Sequence, residues 1–401
     1  MLKRVAVGAL ASCFLFSVAA REVGVAAFNL AWAGTQADFD KHIAVCTAET
    51  VKWCDTRAKM TKDAEQPTPE EQARAKSCQT AFAAAAGGPD QALQVAPCNA
   101  YKLTAKKWAT GPATMYQEKL EGLKGTINTL VSEQKVGVIA FQEVKSEEAI
   151  REILGAHSSS FETCAAPHNA FQTVGFAWKK SLGQGKCTPR PALSIKEDLS
   201  ESSSIRKLRP GAELALTIGG QQITFLNVHL KSGCANLHDD PTFKGNLLTS
   251  RDTACSVLNR QIEPLESWIE DVAKRSPFFV VLGDFNRKLD AEAREAVAPN
   301  KVRTDGSLPN NTNKTDADGS VKSKYLWQEI SDGSPALVQV PLGTSATGCK
   351  GFTGLDHILL SGDLNTRQKV KVTSFKLPVQ TKPKQVIGTS DHCPRVTKVA
   401  F

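Results

Sequence analysis

Apolar positions along this chain follow two periodicities, and the switches between them outline an alternating α/β fold. Near-continuous apolar runs, the pattern of strands covered on both faces, occur at Val23 to Trp32, Val136 to Val144, Phe171 to Lys179 and Pro277 to Gly283. Leu214 to Ile218 and Gln222 to Leu230 flank Gly219-Gly220, which predicts a hairpin around a two-residue turn. Further strands are expected near Leu355 to Leu360 and Val370 to Leu377. Helical spacing takes over in Tyr116 to Lys135, through Leu120, Leu123, Ile127 and Val131. It returns in Ser250 to Ala273, through Leu258, Ile262, Leu265 and Ile269, with a kink expected at Pro264. Two stretches break the pattern. Residues 34–111 are rich in Ala, Gln and Lys and hold four cysteines, and read as a mostly helical, disulfide-stapled surface insertion. A separate small domain there would need those staples to fold. Asn300 to Ser323 reads as a loop.

The N-terminus carries a different signal. Lys3 and Arg4 precede the apolar run Val5 to Val18, and the small residues Val18-Ala19-Ala20 come before Arg21. This is the pattern of a secretory signal peptide over residues 1–20, with residues 21–401 as the mature domain. About 14 apolar residues are short for a membrane anchor, which needs roughly 20. Leu10-Ala11-Ser12-Cys13 resembles a lipoprotein cleavage box and stays open as an alternative. Ten of the eleven cysteines follow Cys13, an even number that can pair fully in an oxidising compartment, secreted or periplasmic. No Cys-x-x-Cys pair occurs, which argues against a zinc cluster. Proximity in chain favours Cys164 with Cys187, Cys234 with Cys255 and Cys349 with Cys393, leaving Cys46, Cys54, Cys78 and Cys98 to pair among themselves. Hydrophobic content of 41% and charged content of 22% exclude disorder as the general state. A net charge of +8 suits a polyanionic substrate or an acidic surface, without a dense basic patch that would demand one.

Several apolar strands stop abruptly at polar residues, so their ends are expected to converge on one rim. Gly283-Asp284-Phe285-Asn286 ends one run; side chains two apart share a strand face, so Asp284 and Asn286 are expected to point at one spot. There a carboxylate can take a proton from water and an amide can hold a phosphoryl oxygen. Asn227-Val228-His229 repeats that logic. Gln142-Glu143 closes another run, and a carboxylate at a buried strand end is costly unless paired or bound to a cation. Glu143 therefore suits a hard divalent ion, with Gln142 orienting it. Asp356-His357 and Asp391-His392 complete the set. Sequence neighbours on a strand point opposite ways, so Asp356 is expected to pair with His392, with Asp391 facing metal or nucleophile and His357 a bystander.

Together these motifs resemble the endonuclease/exonuclease/phosphatase family, which includes DNase I-like nucleases, abasic-site endonucleases, neutral sphingomyelinases and inositol polyphosphate 5-phosphatases. The resemblance spans Val23 to Phe401 without the insertion, and its motifs occur in family order: Phe28-Asn29, Gln142-Glu143, Asn227-Val228-His229, Gly283-Asp284-Phe285-Asn286, Asp356-His357 and Ser390-Asp391-His392. It implies a DNase I-like four-layered α/β sandwich, two packed mixed sheets flanked by helices. It also implies a divalent cofactor, Mg²⁺ or in its place Mn²⁺ or Ca²⁺, on Glu143 helped by Asn29 and Asp391. Asp284 would orient or deprotonate the attacking water, and Asn286 would hold the phosphate. His392, supported by Asp356, and His229 would stabilise the transition state, with Asn227 and Arg209 at the phosphate. The chain is expected to act as a monomer on nucleic acid, with a lipid headgroup or small-molecule phosphodiester as the alternative substrate. His229 fits the nuclease, sphingomyelinase and phosphatase branches, and Gly354-Leu355-Asp356-His357 lacks the Trp-x-Asp-Arg of the 5-phosphatases.

Overall fold

Alternation of apolar side chains along thirteen strands separates two buried layers, one on each side of every central strand. The computed structural model describes residues 22–59, 67–197, 207–235, 253–294, 326–331, 336–345, 349 and 354–401. The leader and the expected loop at 300–323 lie outside them. In chain order the strands are β1 (Glu22–Ala33), β2 (Val136–Val144), β3 (Phe161–Ala165), β4 (Thr173–Lys179), β5 (Gly185–Arg190), β6 (Gly211–Ile218) and β7 (Gln221–His229). They continue with β8 (Phe279–Asp284), β9 (Leu337–Gln339), β10 (Leu342–Ser345), β11 (Asp356–Ser361), β12 (Ser374–Lys376) and β13 (Arg395–Ala400). Sheet A has the order β10-β12-β13-β1-β2-β4-β3, and sheet B the order β5-β6-β7-β8-β11-β9. Both are mixed: β1 and β2 are parallel, as are β7 and β8, while β13 and β11 run antiparallel beside them.

Parity along the strands explains the layering. Val25, Ala27, Val138 and Ala140 of sheet A meet Phe225, Val280, Leu282, Ile358 and Leu360 of sheet B in an inter-sheet core. The alternate residues Ala26, Phe28, Ile139 and Phe141 face outward under α5 (Met115–Asn128) and α6 (Glu147–Leu154). Leu226, Val228, Phe279 and Val281 face α7 (Thr253–Arg275) on the other side. The result is the expected four-layered α/β sandwich. The helix α7 continues through Pro264, and the hairpin turns at Gly219 and Gly220, whose φ of 59° and 81° suit the tight turn. The strand expected at Val370 to Leu377 shrinks to β12, and Val370 is 77% exposed.

The insertion is helical, with α1 (Gln36–Thr47), α2 (Pro69–Ala86), α3 (Pro89–Leu93) and α4 (Ala105–Thr110). Disulfides Cys46–Cys98 and Cys54–Cys78 bracket a small core of Val45, Val51, Phe82 and Val95. Phe39 of α1 stacks on Tyr116 of α5 at 4.3 Å and so fastens the insertion to sheet A's helical layer. The remaining bridges are Cys164–Cys187, Cys234–Cys255 and Cys349–Cys393, as expected from chain proximity. Among the described residues no helix is long and apolar enough to cross a membrane.

Candidate active site

The inter-sheet core is apolar along most of its length and closes at one end with a row of polar residues of the same parity. Asn29 follows Val25 and Ala27, Gln142 follows Val138 and Ala140, and Asn227 and His229 follow Phe225. Asp284 follows Val280 and Leu282, and Asp356 precedes Ile358 and Leu360 on the antiparallel β11. Carboxyl ends of β1, β2, β7 and β8 thus meet the amino end of β11.

One side chain reaches this row by an exception to strict alternation, and one backbone position beside it is constrained by close packing. Glu143 is of opposite parity to Gln142, yet its φ of +55° turns it toward the row, leaving its Oε1 3.7 Å from His229 Nε2. The strand pairing shows why. Asn29 lies opposite Gln142 and Ala33 opposite Val144, so Leu30, Ala31 and Trp32 bulge against the single residue Glu143. Gly283 is required on β8, because its φ is +135° and an added Cβ would stand 2.1 Å from the Val228 carbonyl oxygen.

At the centre His392 Nδ1 shares a hydrogen bond of 2.8 Å with Asp356 Oδ2, and its Nε2 lies 4.0 Å from Asp284 Oδ2. Burial works against protonation of His392, but the charge and hydrogen bond of Asp356, with help from Asp284 and Asp391, raise it to about 10. Burial, reinforced by the charge of Asp356, raises Asp284 to about 7. Asp284 still accepts from Asn29 Nδ2 at 3.0 Å and from the Asn286 backbone N–H at 2.8 Å. His229 is the opposite case to His392. Burial, then the nearby Arg209 and His392 cations, holds it well below the usual range, so it is a neutral imidazole. Its Nε2 is also 3.7 Å from Asp284 Oδ2. Arg209 donates to the His229 and Leu230 carbonyls and lowers Glu143, which burial pushes up.

The other expected residues make the following contacts. Asn227 has both its donors engaged, to the Phe141 carbonyl at 3.0 Å and the Gly175 carbonyl at 2.7 Å. Its oxygen accepts from Gln142 at 2.7 Å, so Gln142 reaches across to sheet B rather than orienting Glu143. Asn286 lies past the strand end with φ +51°, donating its side-chain amide to the Leu230 carbonyl at 3.0 Å and its backbone N–H to Asp284 at 2.8 Å. Asp391 pairs with Lys102 of the insertion at 3.2 Å on the exposed rim. His357 has the parity of the helical side and meets the Arg287 carbonyl at 2.9 Å.

Lys119 was not anticipated, because an isolated lysine in α5 carries no motif. It is fully buried, donating to the Leu30 carbonyl at 2.8 Å and the Thr389 carbonyl at 2.6 Å. It thereby ties the β1 bulge to the segment bearing His392. Burial lowers its ammonium to about 7, against the opposing influence of Glu143 and Asp391. Ser390 adds a second tie, donating to the Asn29 carbonyl at 2.8 Å and accepting from the His392 N–H. Arg395 of β13 donates to the Asp356 carbonyl. The signal available in sequence was only Lys119's place one residue before Leu120 on the apolar stripe.

Two sets of side chains carry ligand atoms of the kind a divalent ion takes. Glu143, Asn29 and Asp391 are all oxygen donors, the chemistry that hard ions prefer, and Asn29 hydrogen-bonds both Glu143 and Asp284. Asp284, Asp356 and His392 also bring one ligand atom each within 4.8 Å of one another. That second set is disfavoured, because His392 is held as a cation through its bond to Asp356 and an ion there would have to expel its proton.

No family model matches the chain, and no curated protein matches it. Among solved structures it is similar to a humanised TDP2 of D. rerio, at 13% identity over 72% of this chain and 95% of that one, with a TM-score of 0.40. It is similar to an endonuclease/exonuclease/phosphatase family protein of Bacteroides thetaiotaomicron, at 11% identity over 73% and 93%, with a TM-score of 0.40. ANGEL2, a 2',3'-cyclic phosphatase, matches at 15% identity over 68% and 84%, again with a TM-score of 0.40. The chain's own site residues therefore carry the functional reading.

Proposed function

We propose that this protein is an exported, divalent-metal-dependent phosphodiesterase whose substrate is nucleic acid. The observation that carries the reading is the His392–Asp356 pair facing Asp284 across the junction of the two sheets. In-line attack on a phosphodiester builds negative charge on the equatorial oxygens and on the leaving oxygen. Asp284, as a carboxylate, orients the attacking water and accepts its proton at Oδ2. His392, kept protonated by Asp356, presents Nε2–H to the developing charge, and the neutral His229 offers a second polar edge. Arg209 adds positive potential beside Glu143. Glu143, with Asn29 and Asp391, would hold the ion, which supplies charge neutralisation at the phosphoryl oxygens.

A lipid substrate has less support. Among the described residues Val370 is the one large hydrophobic side chain that is exposed, and a lipid-engaging loop needs several. The test is direct. The mature protein is incubated with plasmid, single-stranded RNA, sphingomyelin and a chromogenic phosphodiester, in Mg²⁺, Mn²⁺, Ca²⁺ or EDTA, beside His392→Ala. Nucleic acid cleavage that EDTA and His392→Ala abolish is the expected result. Strong sphingomyelin turnover with intact plasmid and RNA would reverse the substrate assignment.

A further inference from the structure

The β1 bulge does more than make room for Glu143. Ala31 and Trp32 both sit in the left-handed region, at φ 48° and 67°, a costly conformation for residues other than glycine. What that backbone holds in place is the Trp32 ring, three residues beyond Asn29 and opposite Glu143 in the strand pairing. The ring stacks on Phe171 with centroids 4.2 Å apart and planes 13° from parallel. Both rings are partly exposed, unlike the fully buried Phe28 on the same strand as Trp32 and Phe141 on the neighbouring one.

The surroundings of the pair are cationic. Lys145 donates to the Ala170 carbonyl, immediately before Phe171, and to Gln94 at the end of α3. His168, in the same loop, bonds the Lys207 backbone and feels the charges of Arg209, Lys145 and Lys207, which with burial lower it to about 4. A flat aromatic face beside the phosphoryl centre, with a lysine near it, is what unpaired nucleotides bind. Stacking is available to every base, and the cations track the backbone. A base inside a duplex is already stacked on its neighbours and has no face to offer.

We infer that Trp32, backed by Phe171 and with Lys145 bonded to the residue before Phe171, forms a subsite for an unpaired nucleobase next to the scissile phosphate. This rests on the nucleic-acid reading above and narrows it to single-stranded or frayed substrates. The role assigned to the stacked pair is binding.

The full chain is assayed in Mg²⁺ on a short single-stranded oligothymidylate and on the same strand built from base-free tetrahydrofuran units. The parent's KM is expected to be roughly tenfold to a hundredfold higher on the base-free strand, the range for one stacked base. Trp32→Leu and Phe171→Leu are expected to raise KM on the intact strand by a similar factor, with little further rise on the base-free strand. Trp32→Phe is expected to restore most of the affinity. Equal KM for the parent on both strands would overturn the inference without any variant, even where Trp32→Leu fails to fold. Equal losses on both strands in a folded Trp32→Leu would overturn it too. Turnover of sphingomyelin with neither strand cut would defeat the nucleic-acid reading, and the subsite with it.

Discussion

Glu213 on β6 and Asp284 on β8 are both almost fully buried acids of sheet B, and they live in opposite electrostatic states. Glu213 faces the helical layer, where Arg190 and Trp268 each donate to it at 2.9 Å and Arg275 adds two further bonds at 3.1 Å. Burial pushes its carboxyl up, but those donors outweigh burial and hold it below the usual range. Asp284 faces the inter-sheet side and receives only an amide and a backbone N–H, with two imidazoles at 3.7 and 4.0 Å. The carboxylate of Asp356 stands beside it, and Asp356 Oδ1 has no hydrogen-bond partner among the described residues. A structural ion cluster saturates its charges, whereas a reactive one leaves capacity for substrate and ion.

The comparison can be broken from either side. The largest effect is expected at the reactive cluster: His392→Ala should lower kcat by about 10²-fold or more, with a melting temperature close to the parent's. Steady-state kinetics retaining parental kcat would end the assignment. Glu143→Gln should come next. The parent's melting temperature is expected to rise with added Mg²⁺, and the variant's rise should need at least about tenfold more ion, as read from thermal shifts. A parental ion response in that variant would move the ion to the Asp284 set. Lys119→Met should cost about 2 to 3 kcal/mol in urea unfolding, since it strips the donor from two buried carbonyls. It should also lower kcat by freeing the His392 segment, and Lys119→Arg should recover part of both losses.

The smallest effect is expected at the saturated cluster. Glu213→Gln should lose about 2 kcal/mol at pH 7, kept below the full buried-pair range because Arg275 is 44% exposed, and leave kcat unchanged. The sign with pH follows from its depressed carboxyl. Its stabilisation is present above the unfolded value of 4.5 and fades as pH falls through the lower folded value, so parent and variant unfolding curves should converge in acid. A fall in kcat for Glu213→Gln would mean that the two clusters communicate.

Parity made much of this legible from the chain alone. Asp284, Asp356 and His229 could be placed on one rim because each continues an apolar run of matching period, and Asp356 could be matched to His392 across strands. Where backbone departs from that period, parity alone does not give the geometry. Asn286 takes a positive φ past the strand end, and the bulge that brings Glu143 in leaves no mark in composition, although Glu143 itself is legible from its place after an apolar run. Asn227 shows a related limit of parity, which gives the face a side chain occupies and not whether its donors are already taken. Lys119 was invisible because its partners are carbonyls of Leu30 and Thr389, distant in sequence and identical in chemistry to every other carbonyl. The strands β5 and β13 were missed as short segments broken by charged residues or proline.

The Gln142–Asn227 bond across the sheets has a consequence for how this protein can change over time. Asn29 and Glu143 belong to sheet A, Asp284, His229 and Asp356 to sheet B, and His392 leads into β13 of sheet A. The spacing between the halves of the site is therefore the thickness of the inter-sheet core, set by side chains such as Phe176 and Phe225. A methylene gained or lost there shifts the two halves against each other by a fraction of an ångström, a dimension that folding tolerates and catalysis does not. Core residues far from any substrate are thus under selection for fit as well as for burial. Drift in them should surface first as lost turnover, with the melting temperature following later.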